Sequence, residues 1–291
     1  MNKTRIDIAK PDIVELFEHQ PVGIFKRTDI QQLLSQNRRF WRLAGSTTAN
    51  EFIAFLLEKT KLVRIVFELP HRRETRFVWG DVSRYELISS LKPDSYFTHY
   101  TAMFFHGLTE QIPRTIYLNV EQPVKGGYPE KLEQSNIDRA FKQSPRVSNN
   151  IAPYGEQRVC ILNGKYTGQL GVISIEDDEG GKIRTTSIER TLIDIAVRPF
   201  YAGGVFEVLK AYQLARPKVS VNKMAAMLKK LDYVYPYHQA IGFYMERAGG
   251  YEDFALKIIR KFDIEYDFYL THQMKDTKYD ETWRLHYPKG F

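Results

Sequence analysis

Hydrophobic and polar positions alternate with helical spacing in three short segments near the start of the chain. The first covers residues 11–19, where apolar side chains recur on one face. The second begins with Thr28-Asp-Ile-Gln31 and the third with Thr48-Ala-Asn-Glu51, and both sequences have the form of a capping box. The pattern predicts three amphipathic helices, the third of them running to about residue 60.

Two segments with the composition of β-strands follow the third predicted helix. Residues 63–69 and 75–79 are rich in β-branched and aromatic side chains, and they flank the basic sequence Pro70-His-Arg-Arg-Glu74. This arrangement predicts a hairpin with a basic tip. Three short helices followed by a hairpin are typical of a winged helix-turn-helix, whose third helix enters the major groove of DNA.

Beyond residue 82 the pattern alternates between strands and helices and then becomes helical. We predict an α+β protein, with a winged-helix DNA-binding domain over residues 1–82 and a larger mixed α+β domain over 83–291 whose C-terminal half is helical. The elements predicted in the second domain are a helix over 96–106, strands over 115–120, 157–163, 170–176 and 182–185, helices over 188–197, 204–215, 221–231, 237–248 and 254–262, and a strand over 281–286.

The distribution of charge indicates the kind of ligand that this domain binds. The chain has a formal net charge of +7, and residues 21–80 hold eleven Lys and Arg against five Asp and Glu, a local net charge of +6. A concentrated basic patch on a helix–helix–helix–hairpin pattern points to double-stranded DNA. The basic residues expected to contact phosphates are Lys26, Arg27, Arg38, Arg39, Arg42, Arg72, Arg73 and Arg76.

Sequence-specific contacts are expected from the start of the third predicted helix. Asn50 has the amide that pairs with adenine, and Thr47 and Thr48 are candidates for thymine methyl groups or phosphates. Contacts to phosphates fix the register of a protein on DNA, whereas contacts to base edges carry the sequence information.

Motifs for catalysis or metal binding are missing from the sequence. Asp177-Asp-Glu179 precedes two glycines and is interpreted as a solvated hairpin turn, while His99 and His106 are expected to hydrogen-bond beside a core. No zinc-ligand spacing, phosphate-binding loop or nucleophile motif occurs, so we expect neither an enzyme nor a cofactor. Gly203-Gly204 opens a predicted helix and favours close packing at a tight turn.

The chain is expected to be soluble and cytoplasmic. Its longest uncharged stretch is shorter than the roughly 20 apolar residues of a membrane-spanning helix, and its first twenty residues mix charged and apolar side chains unlike a signal peptide. The single cysteine, Cys160, lies in an apolar run and is expected to be a buried thiol.

The second predicted domain contains several distinctive sequence blocks. The more specific ones are Ser187-Ile-Glu-Arg-Thr-Leu-Ile-Asp194 and Tyr201-Ala-Gly-Gly204, and Phe97-Thr-His-Tyr-Thr-Ala102 and His106-Gly-Leu-Thr109 add to them. These blocks resemble those of the AbiEi-type antitoxins, which are transcriptional regulators of abortive-infection toxin–antitoxin loci. By this resemblance Arg190, Asp194, Gly203 and Gly204 mark the signature of the second domain. From the residues alone, Arg190 and Asp194 are four apart on one predicted helix and are expected to form an ion pair.

The resemblance implies a function in phage defence. Such proteins repress their own operon by binding inverted repeats in its promoter. An inverted repeat requires two copies of the protein on DNA, so we expect a monomer or weak dimer that binds DNA cooperatively. Such proteins also counteract a toxin that resembles a nucleotidyltransferase, without stable contact to it. Two alternatives stay open: a nuclease or nucleotidyltransferase in the second domain, or an adaptor that binds a protein partner through a tyrosine-rich stretch at residues 233–244.

Overall fold

The computed structural model describes residues 4–124 and 132–291. They form a mixed α+β protein, so the predicted fold class is confirmed at that level. The chain divides into two compact units, one of Met1–Pro93 with Glu176–Lys182 and one of Asp94–Ile175 with Ile183–Phe291.

The first unit begins with three helices and a short strand. The first helix starts earlier than predicted, because Thr4 caps it: the Thr4 hydroxyl accepts from the Asp7 amide at 3.3 Å and the Asp7 carboxylate accepts from the Thr4 amide at 3.0 Å. Pro11, predicted to lie at the start of the helix, lies inside it. These elements are α1 (Arg5–Glu18), β1 (Ile24–Phe25), α2 (Arg27–Asn37) and α3 (Ala49–Lys59).

The structure confirms the capping box predicted for α3 but not the one predicted for α2. Thr48 caps α3 as expected, accepting from the Glu51 amide at 3.2 Å while Glu51 accepts from the Thr48 amide at 2.7 Å. The capping box predicted at Thr28 is wrong, because α2 already begins at Arg27 and the Asp29 carboxylate accepts from the Lys26 amide at 2.7 Å.

A three-stranded sheet completes this part of the unit. The hairpin strands β2 (Leu62–Leu69) and β3 (Arg72–Trp79) are longer than predicted and leave a turn of two residues, Pro70 and His71. The sheet order is β1–β3–β2, and every neighbouring pair is antiparallel. Apolar residues of all three helices meet the sheet in one core; its largest fully buried side chains are Phe17 and Phe52.

The first unit continues past the predicted boundary at residue 82. Helix α4 (Arg84–Ser89) belongs to it, because Arg76 donates to the Ser90 carbonyl at 2.8 Å and Tyr85 is buried. Ser83 caps α4 and also donates to the carboxylate of Asp177, a residue of the separate segment Glu176–Lys182. Contacts made far along the sequence therefore decide where the unit ends.

The second unit contains a six-stranded mixed sheet. The elements in chain order are β4 (Tyr96–Phe97), α5 (His99–Phe105), β5 (Thr115–Glu121), α6 (Gln134–Lys142), β6 (Ile151–Tyr154), β7 (Gln157–Gly164), β8 (Val172–Glu176) and β9 (Lys182–Thr186). The strand order is β6–β7–β5–β4–β9–β8. β5 and β7 pair in parallel, with Ile116 opposite Val159, and so do β4 and β9, with Phe97 opposite Thr185. The pairs β4–β5 and β6–β7 are antiparallel.

Helices and a small sheet form the rest of the second unit. Its main core includes Leu192, Tyr212, Tyr244, Phe268 and Trp283, all fully buried. The elements are α7 (Ile188–Val197), a 3-10 turn (Pro199–Tyr201), α8 (Val205–Ala215), α9 (Val221–Leu231), α10 (Tyr237–Ala248), α11 (Asp253–Ile259), β10 (Phe268–Tyr269), β11 (Thr277–Asp280) and β12 (Leu285–Pro288).

Two predicted elements differ in this unit. The helix predicted over 96–106 is a short strand followed by a helix from His99, because Tyr96 and Phe97 pair with β5. The strand predicted over 281–286 begins later, at Leu285 as β12, since residues 281–284 form a turn between β11 and β12.

Two other expectations concern single features. Cys160 is buried, as predicted, and burial raises the pKa of its thiol to about 11. Within residues 4–124 and 132–291, no helix has the length and apolar character needed to cross a membrane.

Candidate functional site

A groove lies between the outer face of α3 and one face of the β2–β3 hairpin. Asn50 and Ile53 line it from α3, and Arg64 and Arg73 line it from the hairpin. Side chains alternate between the two faces of a strand, so Arg64 shares this face with Val66 and Glu68 of β2. The cationic lining of the groove is Arg27, Arg64 and Arg73, against one carboxylate from Glu68.

Asn50 is held in one orientation at the edge of this groove. The guanidinium of Arg27, on the first turn of α2, donates to the Asn50 side-chain oxygen, and both residues are exposed. The Asn50 amide nitrogen has no partner within the part of the chain that the structure describes. Sequence analysis singled out both residues, and the fold brings them into contact.

The arginines between α2 and α3 have two different roles. Arg38 is half-buried, and its guanidinium donates to the carbonyls of Ala44 at 2.6 Å and Thr47 at 2.9 Å. Arg39 and Arg42 are exposed, and no ion pair involves them among the described residues. Arg38 thus holds the loop in shape, whereas Arg39 and Arg42 present free cations to solvent.

The two threonines before α3 have different surroundings. Thr48 is exposed, but its hydroxyl is engaged in the capping box, and hydrogen bonds from the Thr48 amide and then its hydroxyl lower the pKa of Glu51. Thr47 is half-buried, and its backbone carbonyl accepts from Arg38. Of the two residues, Thr48 is therefore the more exposed.

The arginines of the hairpin also divide by burial. Arg72 and Arg73 are exposed and pair with Glu74 at 2.8 Å and Glu68 at 2.7 Å. Exposed ion pairs of this kind contribute only about 0–1 kcal/mol, so phosphates can replace the carboxylates at little cost.

The prediction that Arg76 contacts phosphates is wrong. Its side chain is 4% exposed and its guanidinium donates to the Thr75 and Ser90 carbonyls, both at 2.8 Å. Because these contacts hold Arg76 inside the first unit, its guanidinium cannot contact a DNA phosphate.

The acidic run also differs from its interpretation as a solvated turn. Asp177 is buried, and it accepts from the amides of Glu179 and Gly181 at 2.9 and 2.8 Å as well as from the Ser83 hydroxyl. Glu179 accepts from the Arg84 amide at 2.8 Å. The run is a turn, as predicted, but Asp177 is buried instead of solvated, whereas Asp178 and Glu179 are exposed. The carboxylates of Asp177 and Glu179 accept hydrogen bonds within the first unit.

In the second unit, the predicted ion pair between Arg190 and Asp194 is confirmed. The Arg190 Nε lies 2.8 Å from the Asp194 Oδ1, and both side chains are buried in α7. The remaining Arg190 nitrogens include one that donates to the Leu170 carbonyl at 2.6 Å, and Thr98 donates to Asp194 at 3.2 Å. Burial alone would lower the pKa of Arg190, but the Asp194 carboxylate raises it above its ordinary value.

Gly203 and Gly204 form the tight turn before α8. Both have positive φ angles, of 82° and 95°. A Cβ at Gly203 would lie 2.9 Å from the Glu207 Cγ and 3.1 Å from the Tyr100 ring. Close packing explains Gly203, and Gly204 is the N-cap of α8, a backbone conformation that favours glycine.

The two histidines considered in the sequence lie at opposite ends of α5. His106 hydrogen-bonds through Nε2 to the Thr186 carbonyl at 2.6 Å, which agrees with a structural role. His99 begins the helix with φ of 52°, and its buried Nδ1 has no hydrogen-bond partner in the described part of the chain. The sequence carried no signal for this conformation, because left-handed φ values at non-glycine residues depend on tertiary contacts.

The tyrosine-rich stretch packs into the second unit. Tyr244 is fully buried, and Tyr233, Tyr235 and Tyr237 are partly buried against the same core. This packing removes the feature on which the adaptor alternative was based. Among residues 4–124 and 132–291, no three His, Cys, Asp or Glu side chains cluster as metal ligands.

Comparison with known proteins finds a solved structure with a similar fold. No protein-family profile matches the chain, and no curated protein is significantly similar to it in sequence. The crystal structure of the Rv2827c protein from Mycobacterium tuberculosis is similar, with a TM-score of 0.62 over 96% of this chain and 91% of that one. The two sequences are 12% identical, so the likeness concerns the fold.

Proposed function

We propose that the first unit is a winged helix-turn-helix that binds double-stranded DNA. The observation that carries this proposal is the order helix–strand–helix–helix–strand–strand with a β1–β3–β2 sheet, in which α3 keeps an exposed face beside the hairpin. In this type of domain the third helix enters the major groove and the hairpin contacts the DNA backbone.

Electrostatics supports a polyanionic ligand. The exposed cations proposed to contact DNA lie at the start of α2, in the loop between α2 and α3 and on the hairpin. Each phosphate that they neutralise releases condensed counterions, so affinity would decrease steeply with salt concentration. The phosphate contacts in this proposal are Lys26, Arg27, Arg39, Arg42, Arg72 and Arg73.

Base recognition is assigned to Asn50, with Thr48 beside it. Adenine is read by an Asn side chain that both donates and accepts hydrogen bonds. Arg27 already donates to the Asn50 oxygen, so on DNA this guanidinium would move to a phosphate and release the oxygen for the base. Arg38 would act indirectly, by holding the loop that leads into α3.

The biological role proposed is that of a cytoplasmic repressor and antitoxin. It depends on the resemblance of Ser187-Ile-Glu-Arg-Thr-Leu-Ile-Asp194 and Tyr201-Ala-Gly-Gly204 to AbiEi-type antitoxins. The repressor would bind inverted repeats in its own promoter, and the second unit would counteract a nucleotidyltransferase-like toxin without stable contact. The buried Arg190–Asp194 pair and the Gly203–Gly204 turn support a structural role for the signature residues.

A mobility-shift titration tests the DNA-binding proposal. The protein is titrated on its own promoter region and on a scrambled sequence of the same length, at two salt concentrations. We expect tight binding to the promoter that weakens with salt and much weaker binding to the scrambled DNA. Equal affinity for both sequences would contradict the repressor, and no binding to either would contradict the winged helix as well.

The antitoxin role requires a separate experiment. Co-expression with a nucleotidyltransferase-like protein encoded beside the gene should restore growth that this protein inhibits alone. A variant with Arg72→Ala and Arg73→Ala should restore growth equally well, because these residues belong to the DNA-binding unit. Failure of the unaltered protein to restore growth would overturn the antitoxin role and leave the DNA-binding proposal in place.

A further inference from the structure

A small cavity lies beside α7 in the second unit. Its volume is about 60 Å³, which is room for roughly four water molecules. The lining residues that matter chemically are His99, Lys165, Arg190, Asp194, Arg198 and Tyr233. All of them belong to the second unit, so the cavity is separate from the groove beside α3.

The lining carries an excess of positive charge. Among its described residues, three cations (Lys165, Arg190 and Arg198) face one carboxylate, that of Asp194. Arg190 forms an ion pair with Asp194, which neutralises its charge. Lys165 donates to the backbone carbonyls of Leu231 and Asp232 at 2.7 and 2.8 Å. Neither carbonyl is charged, so the positive charge of Lys165 is not neutralised there.

Arg198 stands apart from the other cations. It directly follows α7 and is half-buried, yet its guanidinium has no ion pair or hydrogen bond within the described ranges. A partly buried guanidinium with five donors and no acceptor is unusual, because desolvated polar groups are normally paired. The cavity beside it is where an acceptor would fit.

His99 is a second unpartnered group on the same lining. It is 6% exposed and its Nδ1 forms no hydrogen bond to a described residue. Its ring lies edge-on to that of Tyr201, with centroids 5.3 Å apart, and its backbone has the left-handed φ of 52°. Burial, and then the charges of Arg198 and Arg190, hold the pKa of His99 well below its ordinary value. Strained backbone and unsatisfied buried nitrogens concentrate at ligand sites.

We propose that this cavity binds a phosphate-sized oxyanion, with Arg198 as its principal cation. A tetrahedral oxyanion is similar in size to the roughly four water molecules for which the cavity has room. Its oxygens can accept hydrogen bonds from the planar donors of a guanidinium. Lys165 adds a second positive charge, and a neutral His99 adds a donor. A nucleobase is too large for this volume, so a phosphate ester would insert its phosphate group and leave the remainder outside.

The test is a titration of the full-length protein with inorganic phosphate by calorimetry, at constant ionic strength and without DNA. The variant Arg198→Gln removes the cation and keeps a polar side chain. We expect it to weaken phosphate binding about tenfold or more, since hydrogen bonds to charged groups are among the stronger ones. The control Arg146→Gln removes an exposed arginine of the same unit that does not line the cavity, and its affinity should equal that of the parent.

Further titrations distinguish phosphate binding in this cavity from phosphate binding elsewhere on the protein. The variant carrying Arg72→Ala and Arg73→Ala should bind phosphate as the parent does, because those residues belong to the first unit. Adenosine monophosphate that competes with phosphate would identify an ester as the source, whereas phosphate binding alone would identify the free ion; both agree with the proposal. Equal binding of acetate, no saturable binding, or unchanged affinity in Arg198→Gln would overturn it.

Folding and DNA binding serve as independent readouts. Arg198→Gln should keep the circular-dichroism spectrum of the parent and its promoter affinity. If the parent protein does not bind the promoter, but binds phosphate and loses that binding in Arg198→Gln, the repressor proposal fails and the anion-site proposal holds. If the parent protein binds the promoter but Arg198→Gln does not weaken phosphate binding, the anion-site proposal fails and the repressor proposal holds.

Discussion

Arg190 and Asp194 lie one turn apart on α7 and form an ion pair of 2.8 Å that is almost completely removed from water. Replacement of Arg190 alone by Met leaves a buried carboxylate without its cation. We expect this variant to lose roughly 3–5 kcal/mol of unfolding free energy. Urea denaturation measures the loss, and pulsed hydrogen exchange of peptides from each unit assigns it to the second unit.

The matched control for this pair replaces both partners. Arg190→Met with Asp194→Leu removes both buried charges while filling a similar volume, and such exchanges are often neutral. The double variant should therefore recover most of the stability lost in Arg190→Met. A double variant as unstable as the single one would show that the other hydrogen bonds of these side chains matter more than their pairing.

The exposed arginines at the end of the hairpin give a prediction on DNA affinity. Arg72→Ala with Arg73→Ala should weaken promoter binding and reduce the slope of log K against log salt by about 2, since each phosphate contact contributes roughly 0.9. Mobility shifts at several salt concentrations measure the slope. Lys223→Ala with Lys230→Ala removes two exposed charges from the second unit and should leave the slope unchanged.

Arg38 and Arg39 are neighbours that should respond in opposite ways. Arg38→Ala removes the charged donor from the carbonyls of Ala44 and Thr47, and we expect a loss of about 1.5–3 kcal/mol in the stability of the first unit. Arg39→Ala should leave stability within about 0.5 kcal/mol of the parent and reduce DNA affinity. Thermal denaturation and mobility shifts on both variants separate the two effects; equal melting temperatures would refute the structural role of Arg38.

The buried His99 predicts how stability depends on pH. Its pKa is depressed in the folded protein by burial and by Arg198 and Arg190, so the unfolded chain takes up its proton first as the pH falls. Unfolding free energy should therefore decrease below about pH 6.5, the ordinary pKa of histidine. Burial depresses the pKa of His106 and His238 in the same way, so these residues add to the slope.

His99→Asn isolates the contribution of this one residue. Asparagine tolerates a left-handed φ but does not titrate. The variant should show a shallower decrease, by up to about 1.4 kcal/mol per pH unit, in denaturation curves measured between pH 7.5 and pH 5. An unchanged slope would mean that His99 titrates alike in the folded and unfolded chain.

Elements with strong local signals could be predicted from the sequence. The predicted bounds of α7, α9 and α10 agree with the structure, because apolar periodicity and nearby capping or breaking residues such as Ser187, Ser220 and Gly249 define them. The sequence does not predict the two-residue strands β1, β4 and β10. Ile24 and Phe25 become a strand only by pairing with Val78 and Phe77, which lie more than fifty residues away.

The candidate site shows the same limit at the level of side chains. Arg72 and Arg76 lie on one strand and are chemically identical, yet one is exposed and the other is fixed on Ser90. The sequence predicts the positive charge of both residues, but it does not predict the contact of Arg76 with Ser90, outside the hairpin, that keeps Arg76 buried. Likewise, the sequence predicted the Arg190–Asp194 pair from its spacing, but the cavity beside it depends on β4, the loop after β7 and Tyr233, which only the fold brings together.

The buried turn at Asp177 has a consequence for how this protein can be divided. Its carboxylate accepts from Ser83, although ninety-four positions separate the two residues along the chain. A fragment truncated at residue 93 would leave the Ser83 hydroxyl without that acceptor and α4 without part of its support. No single cut therefore releases the first unit whole, and a transplant of this unit into another protein must also carry residues 176–182.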